Sequence, residues 1–401
     1  MESIPKKIAP KVLNWASIID DDTVDQARSL AELPFIHQHV ALMPDAHLGK
    51  GSSVGTVIPT RGAVIPAAVG VDIGCGCSVI RTNVHKEDVD ANLVSGHTLA
   101  ELREAVEDAI PMSAGNYNPR FDRYEFTAKR IAALETMAAD SEVDLSHSPR
   151  WREQLGTLGG GNHFTEACFC KDDQVWLTLH SGSRGVGNKI AQKHIKIAQQ
   201  MCEKWFVPLT DRDHAYLPED TDEFWRYIKD LRWAQAFALA NRGEMLDRFR
   251  LAFAEWMGLD PDQIETDRIE SHHNYTEQTT MGGKTLWLTR KGAVDASPGK
   301  RGIIPGSMGT RSYITEGKGN AASFHSAPHG AGRMFSRTEA RKRFTLDDLE
   351  QSMAGIEYRH GKEWIDEIPA AYKAIDVVME DASDLVTILH ELRQFLNVKG
   401  Q

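Results

Sequence analysis

The sequence predicts an α+β protein: a strand-rich mixed core with helical insertions around an anion- and metal-binding cleft. Three observations predict it. Short β-branched and apolar runs occur in both halves of the chain, long amphipathic stretches lie between them, and the two do not alternate as βαβ units would.

The first strand-like runs are GTVIPT (55–60), GAVIPAAVGV (62–71) and CSVIRT (77–82). Such residues suit a pleated, half-buried surface. Helical spacing follows over 98–110 and 119–140. VWLTLH (175–180) returns to strand alternation and leaves His180 at its exit. Residues 188–258 then read as helical, interrupted by the turn-rich VPLTDRDHAYLPED (207–220). They form an insertion, because TLWLTR (285–290) and GIIP (302–305) resume the strands beyond them. Helix is expected again over 333–344, where Arg333 and Arg337 stand four apart and would share a face, and over 375–395.

A chain of 401 residues exceeds the usual single domain, so length alone suggests two or three units. The longest apolar candidate, 63–80, is broken by Pro66, Asp72 and glycines, so no membrane span is expected. The N-terminus has no apolar signal region, which gives a cytoplasmic expectation. Five cysteines, two pairs of them spaced C-x-C, argue against a disulfide scaffold and leave thiolate ligation open. The net charge of −11 excludes a broad, sequence-independent nucleic-acid clamp, so any such contact must be local. The run RMFSRTEARKRF (333–344) supplies five cations for one, and RKGAV and PGKRG add more near 290–301.

Polar chemistry collects at glycine-rich turns: MPDAHLGKGSSVGT (43–56), VGVDIGCGC (69–77), GTLGGGNHFTE (156–166), LHSGSRGVGN (179–188), IIPGSMGTRS (303–312) and HGAGR (329–333). Glycine lets backbone N–H groups approach a phosphate closely, and a helix starting after SGSRGVG would aim its positive end the same way. GKGSSVGT is no phosphate-loop signature, and GCGCSV lacks the third glycine of a dinucleotide turn. GSSVG (51–55) fits G-x-S-x-G formally, but no apolar strand is expected before it and no helix after it.

The same turns carry Asp72, Cys75, His163 and His180, and HHNY adds His273. A carboxylate, a thiolate and three imidazoles make a set for two divalent metals, with Cys75 the natural bridge. Affinity alone would favour zinc over manganese at such a site. Beside it, His329 follows a proline and precedes Gly330, Ala331 and Gly332. A neutral imidazole next to a metal pair and phosphate-binding turns is a candidate nucleophile for phosphorus, with arginines clamping the transferred group.

These motifs, from HVALMPDAHLGKG through PAAVGVDIGCG, GNHF, LHSGSRGVGN, HHNY, RKGAV, IIPGSMG and HGAGRMFSR to the closing VKG, resemble those of the RtcB-type RNA ligases. The resemblance runs end to end. It implies one catalytic domain over 1–401, with 188–258 a helical insertion within it. It also implies GTP-dependent joining of an RNA 3′-phosphate or 2′,3′-cyclic phosphate to a 5′-hydroxyl. By the same resemblance Asp72, Cys75, His163, His180 and His273 would hold two manganese ions, and His329 would carry GMP. The guanylate site would comprise Asn162, His163, Phe164, Thr165, Glu166, His273, Asn274, Pro305, Gly306, Ser307, Met308, Ser312, Gly330, Ala331, Gly332, Tyr372 and Lys399. Arg184, Lys291, Arg333 and Arg337 would face RNA phosphates.

Two departures stand out. Cys77 occupies an expected methionine position, and SFHSAP (323–328) with its extra imidazole His325 bears on substrate choice. Two other readings compete. A binuclear metallophosphoesterase would use DAH (45–47) and GNH (161–163), but Phe164 follows the latter and no terminal G-H-x-H exists. A non-catalytic RNA-repair subunit would not need an intact nucleophile and ligand set. Transfer RNA halves, cleaved transcripts and damaged ribosomal RNA all present the required ends. A monomer with a local basic groove is expected, with any activating partner left open.

Overall fold

The computed structural model describes residues 5–112, 115 and 117–400, so Met1–Ile4, Ser113, Ala114, Asn116 and Gln401 of the expected 1–401 unit lie outside it. Two antiparallel-dominated sheets carry the fold, which is α+β as the lack of βαβ alternation predicts. The eight-stranded sheet runs Glu265–His272, Gly76–His85, Gln174–Ser181, Phe164–Cys170, Val386–Lys399, Ser312–Gly317 and Arg301–Ile304, with Glu357–Tyr358 added parallel to Val386–Lys399. The six-stranded sheet runs Lys6–Ala9, Val12–Asn14, Val40–His47, Val54–Thr60, Lys284–Lys291 and Asn274–Met281.

The helical block forms Arg184–Lys204 and Asp222–Met257. The second helix lays Met245, Leu246, Phe249 and Phe253 on Ile80, Leu177 and Leu179 of the larger sheet. Burying these side chains is the main stabilising term of that layer. The first helix begins at Arg184, earlier than its glycines suggest. Gly185 lies among the first residues, whose N–H groups lack intrahelical partners in any case, and the Gly187 N–H already closes the first turn on the Ser183 carbonyl at 3.1 Å. No helix among the described residues is long and apolar enough to cross a membrane.

Several element boundaries differ from expectation. GAVIPAAVGV yields only the bridge-length strand Ala63–Val64, because Pro66 opens the one-turn helix Pro66–Val69. The 119–140 helix is Glu125–Asp140. Over 375–395, only Ile375–Asp381 is helical, and Val386–Lys399 is a central strand paired on both sides. Helix propensity in LHELRQFLN is a weak prior that two flanking strands override. In 333–344 the helix is Arg337–Arg343, capped by Ser336, whose hydroxyl accepts from the Glu339 N–H at 3.2 Å. Arg333 therefore lies before the helix and does not share its face with Arg337. An apolar strand, Val40–His47, does lead into GSSVG, but a strand follows it, and the Ser52 and Ser53 hydroxyls are buried in bonds to the Ala68 carbonyl and Thr56.

Candidate active site

One passage of the chain between the two large sheets spans a single residue. His272 ends the edge strand of the larger sheet, Asn274 begins the edge strand of the smaller, and His273 lies between. The His273 N–H donates to the Cys75 carbonyl at 2.8 Å, and the Gly74 N–H donates to the Asn274 carbonyl at 2.7 Å. These bonds fasten the 72–75 turn to the crossing point.

Five ligand-type side chains meet at this seam. Cys75 Sγ lies 3.5 Å from His163 Nε2 and 3.3 Å from His180 Nε2. Asp72 Oδ2 lies 3.1 Å from His163 Nε2, and His180 Nε2 lies 3.3 Å from His273 Nε2. They form two triads, Asp72–Cys75–His163 and Cys75–His180–His273, which share the Cys75 sulfur. Nδ1 of His163 donates to the Leu158 carbonyl at 3.1 Å, and Nδ1 of His180 to the Asn162 carbonyl at 3.0 Å. A carbonyl only accepts, so the protons sit on Nδ1 and both Nε2 lone pairs face inward. Burial holds His180 and His273 well below the ordinary imidazole range, in the neutral form a metal requires. Inward nitrogen lone pairs, one shared sulfur and one carboxylate fit a pair of divalent transition metals. Gly182 makes room for this: a Cβ there would stand 2.1 Å from Asp72 Oδ1, the oxygen that accepts from the Ser183 N–H at 3.0 Å.

His329 is the neighbour of that centre, its ring 4.6 Å from the His273 ring. It follows the short strand Ser326–Pro328, which pairs with Ala293–Asp295. The buried Asp45 carboxylate organises it. Oδ2 accepts from His329 Nδ1 at 2.6 Å, from the His329 N–H at 3.0 Å and from the Gly330 N–H at 3.1 Å. With the proton held on Nδ1, Nε2 is the nitrogen left with a lone pair. Gly332, at φ +74°, passes so close to this strand that a Cβ would stand 2.3 Å from the Asp45 carbonyl oxygen. Asp45 and His47, the D-x-H of the esterase reading, join neither metal triad. His47 Nδ1 bonds the Asp45 carbonyl at 2.8 Å, and its ring lines the cleft.

A cleft of about 270 Å³ opens over both groups. Its wall includes Asn162, Phe164, Glu166, Asn274, Lys291, Pro305–Met308, Gly330–Gly332, Arg333, Arg337, Tyr372 and Lys399. Burial pushes the Glu166 carboxyl up to about 8, while Lys399 and the 2.7 Å bond from Asn397 Nδ2 oppose the shift. Glu367 lines the same cleft, held at about 2 against burial by Lys399, Arg337 and Arg333. Its carboxylate takes Lys399 Nζ at 3.0 Å, Tyr372 Oη at 2.6 Å, and Arg333 and Arg337 at 3.2 Å each. The two arginines thus converge through a shared carboxylate, not through a common helical face.

Four predicted residues stand outside this wall: His163, whose ring belongs to the Asp72–Cys75–His163 triad, and Thr165, Ser312 and Arg184. Thr165 is fully buried. Ser312 turns its hydroxyl to accept from the Gly306 N–H at 3.3 Å and so holds the 305–308 turn. Arg184 packs behind the metal ligands, 3.4 Å from His163 Nδ1. Lys291 reaches the wall with its ammonium bonded to the carbonyls of Lys50 and Ser52, and burial lowers it to about 8. The basic patch expected from RKGAV and PGKRG does not form: Arg290 is buried against Tyr275, Glu277 and Ser326, and Arg301 pairs with Asp267. Cys77 joins an apolar cluster with Cys168, Cys170 and Trp176. His325, half-buried, uses its carbonyl to accept from the Ala296 N–H at 2.8 Å.

Sequence reasoning missed Asp45 and Glu367 as partners. PDAH offered a signal for Asp45, a carboxylate beside glycine turns, but nothing local tied it to a histidine 284 residues away. Glu367 lies in DEIPAAY, which carries no recognisable pattern.

Comparison with known proteins finds relatives of the whole chain. A family model described as tRNA-splicing ligase RtcB matches residues 26–400. The RNA-splicing ligase RtcB of Escherichia coli K12 is 44% identical over 393 residues, which cover 95% of each chain. The tRNA-splicing ligase RtcB of Nanoarchaeum equitans is 31% identical over 93% of this chain and 88% of its own. That of Pyrobaculum aerophilum is 29% identical over 95% and 91%.

Proposed function

This chain belongs to the RtcB family and is an RNA ligase, and we propose that it joins an RNA 3′-phosphate or 2′,3′-cyclic phosphate to a 5′-hydroxyl using GTP and two manganese ions, through a guanylylated His329. The observation that carries this reading is the Asp45–His329 pair standing against two metal-ligand triads in one cleft.

His329 Nε2 attacks the α-phosphorus of GTP. The N–P bond forms as the bond to pyrophosphate breaks, and Asp45 steadies the positive charge that the ring gains. An oxygen of the RNA 3′-phosphate then displaces the imidazole, leaving an RNA–ppG end. The 5′-hydroxyl oxygen attacks the 3′-terminal phosphorus, GMP leaves, and the hydroxyl proton is lost to solvent. A cyclic phosphate is first hydrolysed at the same site. Asp72, Cys75, His163, His180 and His273 would hold the metal pair, which would supply neutralisation of phosphate charge. Glu166, Lys399 and Tyr372 form the wall against which the guanine seats. Glu166 raised to about 8 is protonated at neutral pH and can both donate and accept. Arg337 and Arg341 line a second groove that adjoins the cleft at Glu367; both are paired with its carboxylates, Arg337 with Asp366 and Glu367 and Arg341 with Asp366, so an RNA phosphate would bind there by exchanging with those pairs. Arg333 is bound to Glu367 and Tyr372 and shapes the wall that this groove adjoins.

Incubation with α-labelled GTP and manganese, followed by denaturing electrophoresis, tests the reading. An acid-labile, alkali-stable label on the wild type that is lost in His329→Ala, with metal content retained, is expected. A label that persists in His329→Ala overturns the assignment. Turnover of phosphate esters without label would favour the esterase reading.

A further inference from the structure

The helix Asp222–Met257 supplies no metal ligand, yet it passes directly beneath the centre. Two consecutive, fully buried polar residues on it, Asn241 and Arg242, make their bonds to the segments that carry the ligands. Successive helical residues point about 100° apart, so the two address different sides of the site.

Arg242 donates from Nη1 to the carbonyls of Gly74 at 2.7 Å and Ser181 at 3.1 Å, and from Nε to Ser78 Oγ at 3.2 Å. Its Nη2 lies 3.2 Å from His272 Nδ1. Gly74, Ser181 and His272 are the immediate chain neighbours of Cys75, His180 and His273. One planar fork thus holds the carbonyls beside Cys75 and His180 and lies against the imidazole of His272, beside His273. Asn241 faces mainly the other half, with one longer contact from its Nδ2 to Ser181 Oγ, beside His180, at 3.4 Å. Its Oδ1 accepts from the Gly156 N–H at 2.8 Å, and its Nδ2 donates to the carbonyls of Thr157 and Gly182 at 3.2 Å each. Those segments hold Leu158, whose carbonyl orients His163, and Ser183, whose N–H holds Asp72. Among the described residues no carboxylate forms an ion pair with Arg242. A buried guanidinium without a counter-anion is costly unless its hydrogen bonds are met and negative charge lies close by. The Asp72 and Glu270 carboxylates lie close enough to contribute that charge.

We propose that Asn241 and Arg242 are positioning residues with divided duties: Asn241 sets the Asp72–Cys75–His163 site and Arg242 sets the Cys75–His180–His273 site. The assignment rests on the two-metal reading above, and its test separates the two. Cobalt(II) serves as the probe, titrated into the full chain and followed by its visible bands and the thiolate charge-transfer band. His163→Ala leaves the second site alone, and His273→Ala leaves the first. In the His163→Ala background, Arg242→Lys is expected to weaken cobalt binding about 10–100-fold, the usual size of an outer-shell effect, while Asn241→Ala changes it little. In the His273→Ala background the order reverses. Equal effects of either substitution in both backgrounds, or no effect in either, overturn the division. If Arg242→Lys does not fold, the two Asn241→Ala titrations decide: equal losses, or no loss in the His273→Ala background, refute the proposal. A wild-type chain that binds no cobalt and shows no thiolate band defeats the two-metal reading itself.

Discussion

The substitution Asp45→Asn tests whether the negative charge at this position, as distinct from its shape, drives guanylylation. The amide keeps an oxygen where Oδ2 now sits, so the bonds from the His329 and Gly330 N–H groups, 3.0 and 3.1 Å in the wild type, can remain. What is lost is the charge-assisted character of the 2.6 Å bond to Nδ1. Hydrogen bonds to charged groups contribute about 1.5–3 kcal/mol. At about 1.4 kcal/mol per decade, single-turnover labelling with GTP should slow roughly 10–150-fold. The new amide nitrogen would take the place of Oδ1, which is buried without a partner among the described residues, so stability should also fall by about 1–3 kcal/mol. Quench-flow labelling at saturating GTP and matched metal content measures the rate, and urea unfolding measures the stability. A variant that labels within twofold of wild type would refute the claim that the Asp45 anion supports the ring through the attack.

The remaining predictions concern the ligand turn and the nucleotide wall. Gly182→Ala places a methyl 2.1 Å from Asp72 Oδ1 and should push that carboxylate off the Asp72–Cys75–His163 triad. Calorimetric titration should then show one manganese weakened at least 10-fold, an outer-shell magnitude, and wild-type affinity would exclude the steric argument. Glu166 gives a pH signature. Burial raises its carboxyl from the ordinary 4.5 to about 8, so between those values the folded chain keeps a proton that the unfolded chain has released. Its contribution to stability is therefore full below pH 4.5 and is lost as pH rises through about 8. Glu166→Gln should remove that decline, read as the difference in urea unfolding of metal-free wild type and variant at pH 5, 6.5 and 8. Parallel curves for the two proteins would show that Glu166 titrates normally.

Side-chain chemistry at glycine turns was legible in the sequence because it is local. Asp72, Cys75, His163, His180 and His273 could be singled out by type and by the turns that carry them, and they lie together at the seam between the sheets. The mixed α+β class followed from the order of strand-like and helical runs. Tertiary structure alone decided how those residues divide into two triads around Cys75, because the division depends on a chain crossing at His273 that no spacing encodes. It alone gave His329 its carboxylate, Asp45, and made Glu367 the common partner of Arg333, Arg337, Tyr372 and Lys399. It also turned Val386–Lys399 into a strand, since hydrogen bonds to neighbours on both sides outweigh a propensity of a few tenths of a kcal/mol per residue. Residue type is written position by position, whereas the partner that fixes a proton or a charge is set by which distant segments the core brings into contact.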